Sequence, residues 1–272
     1  MQLTTIGSQL TGLAAIGCYL MSAVLLYRTV ATPQTDSAGS VSRSTIWQLG
    51  MAAAALHTLM LISSFYQSHG LNLGFFNALS VTAWVTTVIV LLLNIGRPVL
   101  NLGLILFPVS ALTLALSLVF KGNFSTVSTE VRWHVLISIV AYALLTIAAG
   151  QSLLVSLQDR RLHNRRPGGL LRALPPLKVM ETVLFQLLVA SFLLLSLALL
   201  SGFVFLDDLF AQRLVHKTTL SLFAWGILAV LLIGQLCWGW RGQKAALMTT
   251  ISYASLVLGY FGSKFVLEVI LA

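Results

Sequence analysis

The chain has 272 residues, of which 58% are hydrophobic and only 8% are charged. A soluble domain carries about 25% charged residues, because its surface faces water. The composition therefore excludes a soluble globular protein and predicts one that uses lipid as its solvent. The net charge of +9 is typical of basic loops beside a membrane, so the sequence predicts no nucleic-acid partner.

Eight apolar segments reach the length of about 20 residues that a helix needs to cross a bilayer. Their predicted bounds are 6–27, 45–65, 73–94, 99–120, 132–157, 179–206, 216–238 and 245–270. The fold class that follows is an all-α bundle of eight transmembrane helices. No repeat of fixed period is visible in the sequence, which predicts a single domain over residues 1–272. Pro108 lies inside the fourth segment and is a candidate for a helix break.

Positive charge in the loops predicts the orientation of the bundle. Two connections are long, namely the polar segment 31–44 and the basic segment 158–178, in which Pro175 and Pro176 restart the chain near Lys178. The loops after the odd-numbered helices hold 11 of the 16 Lys and Arg residues. This asymmetry predicts that these loops are cytoplasmic and that both termini lie outside, which in a Gram-negative cell is the periplasm.

Ionisable side chains are scarce inside the predicted helices. Lys264 and Glu268 are four residues apart and are predicted to pair. No series of buried carboxylates crosses the predicted membrane, which argues against a proton pump or a cation exchanger. No metalloprotease, hydrolase, phosphate-loop or dinucleotide motif occurs, so the sequence predicts no enzymatic activity.

The histidines are the exception to this scarcity. His57 lies within the second predicted helix, and His134 and His216 open the fifth and seventh helices. The predicted orientation puts these three in the outer half of the membrane, together with His69 in a short outer loop. His163 lies in the basic inner loop and is not among the expected ligands.

Imidazole is a frequent axial ligand of haem iron, and a helical bundle can offer such ligands from facing helices. Trp133, Tyr142 and Trp225 lie on the helices of His134 and His216 and are candidates to line a porphyrin. The alternative is that a membrane histidine only forms a hydrogen bond between helices. Residue types alone leave both interpretations open.

Three stretches of sequence resemble a known family. They are WHVLISIVAYALLTIAAGQSLLVSLQDRRL (133–162), HKTTLSLFAWGILAVLL followed by GWRGQKA (216–245), and YFGSKFVLEVIL at the C-terminal end (260–271). They resemble the cytochrome c assembly proteins of the CcsA, CcmC and HemX superfamily, within its YpjD-like inner-membrane branch. The resemblance is strongest over residues 133–271.

This resemblance implies a haem-handling protein of the bacterial inner membrane. His134 is similar in position to an outer-face histidine of the family, His216 to the start of the segment after its Trp-rich loop, and His57 to a histidine within an early helix. The loop before His216 reads DDLFAQRLV and lacks the tryptophans of the family's WWD motif. The expected cofactor is haem b, and the expected partners are the bilayer, haem and another membrane protein.

The resulting expectation is that haem b is held in the outer half of the bundle for transport, storage or regulation. His134 and His216 are the expected axial ligands of the haem iron, with His57 as an alternative ligand. Two other functions remain open. One is a membrane carrier for a small solute or for metal homeostasis, and the other is a regulatory scaffold that acts through segment 158–178 without haem.

Overall fold

The computed structural model describes residues 2–31, 41–68, 71–72, 74–120, 124–125, 128–163, 174–205 and 215–270. Eight helices in these ranges are long and apolar enough to cross a membrane. The predicted all-α membrane fold is therefore confirmed. The predicted location of both termini outside stays a prediction, and His69 lies outside the described residues.

The helices follow the predicted order along the chain. They are α1 (Gln2–Ala31), α2 (Arg43–Ser68), α3 (Phe75–Leu93), α4 (Gly103–Val119), α5 (Thr129–His163), α6 (Leu177–Phe205), α7 (Val215–Trp238) and α8 (Gly242–Val257). A 3₁₀ turn precedes α4 at Leu100–Leu102. Two short strands, β1 (Leu71–Asn72) and β2 (Phe124–Ser125), pair in antiparallel fashion.

Helix α8 continues beyond its regular part. A π-helical turn (Leu258–Gly262), one α-helical turn (Ser263–Phe265) and a second π-helical turn (Val266–Ile270) extend it. The resulting span, Gly242–Ile270, agrees with the predicted eighth segment. Within the extension, Lys264 Nζ lies 3.4 Å from Glu268 Oε1, which confirms the predicted ion pair.

The prolines act in two different ways. Helix α6 begins directly after Pro176, whose carbonyl oxygen accepts hydrogen bonds from the backbone N–H groups of Val179 and Met180. This confirms the predicted restart of the chain after the double proline. Pro108 lies inside α4 without ending it, since α4 is continuous from Gly103 to Val119. The candidate break in the fourth helix is therefore absent.

The chain divides into two compact units. The first comprises Met1–Val127 with Arg172–Leu174, and the second comprises Ser128–Leu171 with Pro175–Ala272. The first unit contains α1–α4 and the second contains α5–α8. Whether the two units act as the single domain expected from the sequence stays a prediction.

The two units share an internal packing order that the sequence analysis does not show. In each unit, the first helix packs most closely against the second and also against the fourth. The third helix packs against the fourth, and contact between the second and third helices is the least extensive of these pairings. Each unit therefore encloses its own core.

Close approach of helices in the first unit depends on small residues around Phe107. This ring is fully buried and stacks on Tyr19, with 6.2 Å between ring centroids. A Cβ atom at Gly103 would lie 2.7 Å from the Phe107 ring, and one at Gly50 would lie 3.1 Å from it. Gly103 leaves room for a ring of its own helix α4, whereas Gly50 lies on α2, where a small residue lets two membrane helices approach.

A pair of matching hydrogen bonds fixes the third helix of each unit. The third helices carry the sequences SVTAW (80–84) and SLFAW (221–225). The indole Nε1–H of Trp84 donates to Thr58 Oγ1 on α2 at 3.1 Å, and that of Trp225 donates to Ser196 Oγ on α6 at 2.8 Å.

The fourth helices complete this match. Ser110 Oγ on α4 donates to the carbonyl oxygen of Ala83 at 3.4 Å. Ser252 Oγ on α8 donates to the carbonyl oxygen of Ala224 at 2.9 Å. In both units, therefore, an Ala-Trp pair joins the third helix to the second and fourth helices.

Candidate functional site

His134 lies on α5 at the end of the second unit that is predicted to face outward. Helix α5 begins at Thr129, three residues before the predicted start. His134 thus lies five residues inside the helix, about 7.5 Å along its axis. Its side chain is half-buried. It faces α6, which runs antiparallel to α5 and ends at Phe205.

A serine on α6 orients the imidazole ring of His134. The Nδ1 atom of His134 lies 2.9 Å from Ser201 Oγ. The Ser201 hydroxyl donates its only proton to the carbonyl oxygen of Ala198, also at 2.9 Å. The hydroxyl oxygen must then accept from Nδ1–H, because a hydroxyl has one proton to donate. This assignment leaves Nε2 of the neutral ring with a free lone pair.

That arrangement has the donor chemistry of a metal ligand. A histidine that binds a metal usually donates its other ring N–H to a nearby acceptor, which fixes the tautomer and the ring direction. Ser201 supplies such an acceptor for His134. His134 is therefore a residue that could hold a metal through Nε2.

His216 lies in a more open environment. It is the second residue of α7, and its side chain is exposed. Its backbone carbonyl oxygen accepts a hydrogen bond from Thr219 Oγ1 at 3.3 Å. Among the described residues, no hydrogen bond or ring contact joins His216 to His134. His216 is consequently accessible, but the structure does not supply it with an orienting partner of the kind that His134 has.

His57 lies in the first unit and is fully buried. Its Nε2 atom lies 3.1 Å from Ser80 Oγ on α3, and its Nδ1 atom lies 3.5 Å from Tyr19 Oη on α1. Trp84 packs edge-on against its ring at 6.5 Å between centroids. Both ring nitrogens therefore have polar neighbours, and His57 connects three helices of its unit.

Two of the three aromatic candidates contact other helices, and the third is exposed. Trp225 stacks on Phe192 at 5.4 Å between ring centroids, in addition to its hydrogen bond to α6. Tyr142 donates its hydroxyl proton to the carbonyl oxygen of Leu256 at 3.2 Å. Both side chains thus join helices of the second unit. Trp133 is 60% exposed and lies next to His134 in the chain.

The three candidate ligands are distributed over both units, with His57 in the first and His134 and His216 in the second. Among the residues that the structure describes, no group of three or more His, Cys, Asp and Glu side chains forms a metal site. Haem iron needs no such group, because a protein binds it through one or two side chains.

Sequence reasoning missed the residues that hold these histidines, above all Ser201, Ser80 and Tyr19. The only available signal for Ser201 was its position. It lies four residues before the end of α6, and His134 lies five residues after the start of α5. In an antiparallel pair of neighbouring helices, such positions lie at similar heights.

Comparison with known proteins shows to which family the chain belongs. The cytochrome c assembly protein family matches residues 47–271, which include His57, His134 and His216. This chain therefore belongs to the cytochrome c assembly protein family.

Two bacterial proteins are similar to the chain. An uncharacterized 28.8 kDa protein of Azospirillum brasilense is 39% identical over 140 residues, which are 51% of this chain and 52% of the relative. The chain thus matches about half the length of that protein. The inner membrane protein YpjD of Escherichia coli K12 is 29% identical over 205 residues, which are 74% of this chain and 77% of YpjD. No solved structure matches the chain.

Family and fold together establish in which membrane the protein lies. The chain has eight candidate membrane-spanning helices and resembles an inner membrane protein over most of its length. It is a multi-pass protein of the inner membrane, and lipid surrounds its helices.

Proposed function

We propose that this protein binds haem b in the outer half of its second unit, with the iron on Nε2 of His134. Haem handling is associated with the cytochrome c assembly family, to which the chain belongs. The bound haem would be held for transport, storage or regulation. The proposal assigns no covalent chemistry to the protein.

The orientation of His134 by Ser201 is the observation that carries this proposal. Their 2.9 Å contact, together with the bond from Ser201 to Ala198, directs the protonated nitrogen of His134 toward α6. The other nitrogen is left as a ligand atom. This tautomer and ring direction are those that a metal-binding histidine usually adopts.

His216 is the proposed second ligand. It is exposed at the start of α7, in the same unit as His134. Bound haem would supply an iron that His134 and His216 could hold together, and two imidazole ligands would give a low-spin spectrum. His57 remains the alternative ligand. Its ligation would require the loss of a polar contact to Ser80 or Tyr19, because both of its ring nitrogens have such neighbours.

Absorption spectroscopy of the purified full-length protein tests the proposal. After incubation with haem and removal of the unbound excess, the wild type is expected to show a Soret band of a low-spin haem. His134→Ala is expected to lose the band, and His216→Ala is expected to shift it toward high spin. His163→Ala is the matched control, because His163 is exposed at the opposite end of the same α5 helix.

Two results would contradict the ligand assignment. A band that only His57→Ala abolishes would place the haem in the first unit. A wild type without any Soret band would exclude haem binding, and the carrier or regulatory scaffold would then replace this proposal.

A further inference from the structure

A cleft of about 550 Å³ lies in the second unit, between α6 and the end of α7. One wall is a single stripe of α6, on which Lys178, Thr182, Gln186, Val189 and Leu193 follow at intervals of three or four residues. Gln235 and Arg241 form the opposite side. The proposed haem site lies at the other end of α6, near Ser201, so the cleft is a separate feature.

Two cations stand at the mouth of the cleft. Lys178 is the second residue of α6, and Arg241 lies in the turn between α7 and α8. Both side chains are exposed, and among the described residues neither forms a hydrogen bond or an ion pair. Glu181 also lines the mouth, but its Oε1 atom accepts a hydrogen bond from the backbone N–H of Gly242 at 3.1 Å.

The turn that carries Arg241 is held in place. Gly239 and Gly242 have φ angles of 65° and 54°, in the left-handed region that favours glycine. Trp240 packs against Gly234 so closely that no Cβ fits there, and Lys244 Nζ lies 3.4 Å from the centroid of the Trp240 ring. With Glu181 bonded to Gly242, these contacts fix the position of Arg241 at the mouth.

Two amide side chains line the cleft below the mouth. Gln186 lies nine residues after the start of α6, about 13.5 Å along the helix, and Gln235 lies three residues before the end of α7. Gln186 is exposed and Gln235 is half-buried. Neither amide has a hydrogen-bond partner among the described residues. An amide without a partner is unfavourable in hydrocarbon, so both side chains suit a ligand with hydrogen-bond acceptors.

The lower part of the cleft is apolar. Phe185, Val189, Ala190 and Leu193 line it. Val189 is 46% exposed and Leu193 is 61% exposed, so this part of the wall is open to surrounding lipid. The side chains that line the cleft thus change along α6, from cationic at the mouth to amides and then to apolar residues.

We propose that this cleft binds an anionic phospholipid from the cytoplasmic leaflet. The lipid phosphate would lie between Lys178 and Arg241, because basic pockets between membrane helices on that side bind anionic head groups. The amides of Gln186 and Gln235 would donate to the ester carbonyl oxygens, since both line the cleft and the side chain of Gln186 tilts toward the N-terminus of α6 and hence toward the mouth. An acyl chain would follow Val189 and Leu193.

Haem is a poorer occupant of this cleft. Among the described residues that line it there is no histidine, cysteine or methionine, so an iron ligand is lacking. A soluble anion such as phosphate would match the cations but would leave the apolar wall uncovered. The lipid matches all three zones, and this proposal goes beyond haem binding and does not depend on it.

Native mass spectrometry of the full chain in detergent tests the proposal. Phosphatidylglycerol is expected to bind more tightly than phosphatidylcholine of the same acyl chains. Lys178→Gln with Arg241→Gln is expected to weaken phosphatidylglycerol binding by roughly fivefold for each cation removed. Arg97→Gln with Arg161→Gln is the control, because it removes the same charge from the predicted cytoplasmic side but changes no residue of the cleft or of the turn that carries Arg241.

A second variant separates a built site from general surface attraction. Gln186→Leu with Gln235→Leu keeps every charge and is expected to weaken phosphatidylglycerol binding, with circular dichroism unchanged. Equal binding of both lipids, or equal loss in the cleft and control variants, would overturn the proposal. Inorganic phosphate that displaced the lipid at millimolar concentration would instead identify a soluble-anion site and also overturn it.

Discussion

Ser201 has an effect on His134 that can be measured separately from ligation. Ser201→Ala removes the acceptor of the Nδ1–H group but leaves the imidazole in place. The loss of such a supporting hydrogen bond typically weakens metal affinity by about 10–100-fold. We therefore expect Ser201→Ala to retain a Soret band on saturation but to need about 10–100-fold more haem.

A titration of haem into wild type and Ser201→Ala checks this expectation. Ser196→Ala is a suitable control, since Ser196 lies on the same α6 helix but accepts from Trp225 instead of His134. Equal haem affinities for wild type and Ser201→Ala would show that the serine does not support the ligand.

The contact between His57 and Ser80 is expected to contribute to the free energy of unfolding. Hydrogen bonds between membrane helices contribute about 0.6 kcal/mol on average and at most about 1.7 kcal/mol. A double-mutant cycle of His57→Ala and Ser80→Ala is expected to give a coupling energy in this range, measured by unfolding in mixed micelles. A coupling energy near zero would show that the 3.1 Å contact contributes nothing to stability.

The sequence identified the ligand candidates but not their partners, for a physical reason. An imidazole in an apolar segment is costly to bury and therefore conspicuous. A serine is not, because it can donate to a carbonyl oxygen of its own helix, as Ser201 does to Ala198. Whether Ser201 also contacts His134 depends on how α5 and α6 are aligned, and hydropathy does not predict that alignment.

At the scale of helices, the Ala-Trp pairs of α3 and α7 predict a common effect. Trp84→Phe and Trp225→Phe remove the indole N–H donors to α2 and α6 but keep an aromatic ring. Each is expected to lower the free energy of unfolding by about 1 kcal/mol, as the loss of one membrane hydrogen bond does.

Unfolding of both variants in mixed micelles measures this effect. Trp133→Phe is the control, since Trp133 is 60% exposed and is expected to leave stability unchanged. If Trp84→Phe and Trp225→Phe matched that control, the indole bonds would have no role in holding the third helices.

Helix bounds were predicted well where the length of an apolar segment sets them. They were predicted less well where polar contacts stabilise a helix end. The predicted seventh helix, 216–238, differs by one residue from Val215–Trp238. The fifth was predicted to end at 157 but continues to His163. Gln243 at the start of α8 explains the difference, because it bonds to Asp159 at 3.2 Å and to Arg160 at 3.1 Å. Hydropathy cannot detect a polar helix end that another helix stabilises.

The charge distribution predicts how the whole bundle is oriented in the membrane. The 11 Lys and Arg residues in the loops after the odd-numbered helices predict that both termini are outside. Alkaline phosphatase fused to the C-terminus is therefore expected to be active, and green fluorescent protein fused there is expected to be dark.

Fusions within segment 158–178 provide the internal control and should give the opposite pattern. If the C-terminal phosphatase were inactive and the fluorescent protein bright, the orientation would be wrong. His134 and His216 would then lie at the cytoplasmic end, and the lipid cleft would open to the other leaflet.

The division of the fold into two units of four helices has a consequence for synthesis. The first four helices are all encoded before residue 128 and enclose their own core. A ribosome adds about 5–20 residues per second, so the remaining part of the chain takes roughly 7–30 s to emerge. The first unit can pack in the bilayer during that interval. The half that carries His134 would then join a membrane in which its partner half is already folded.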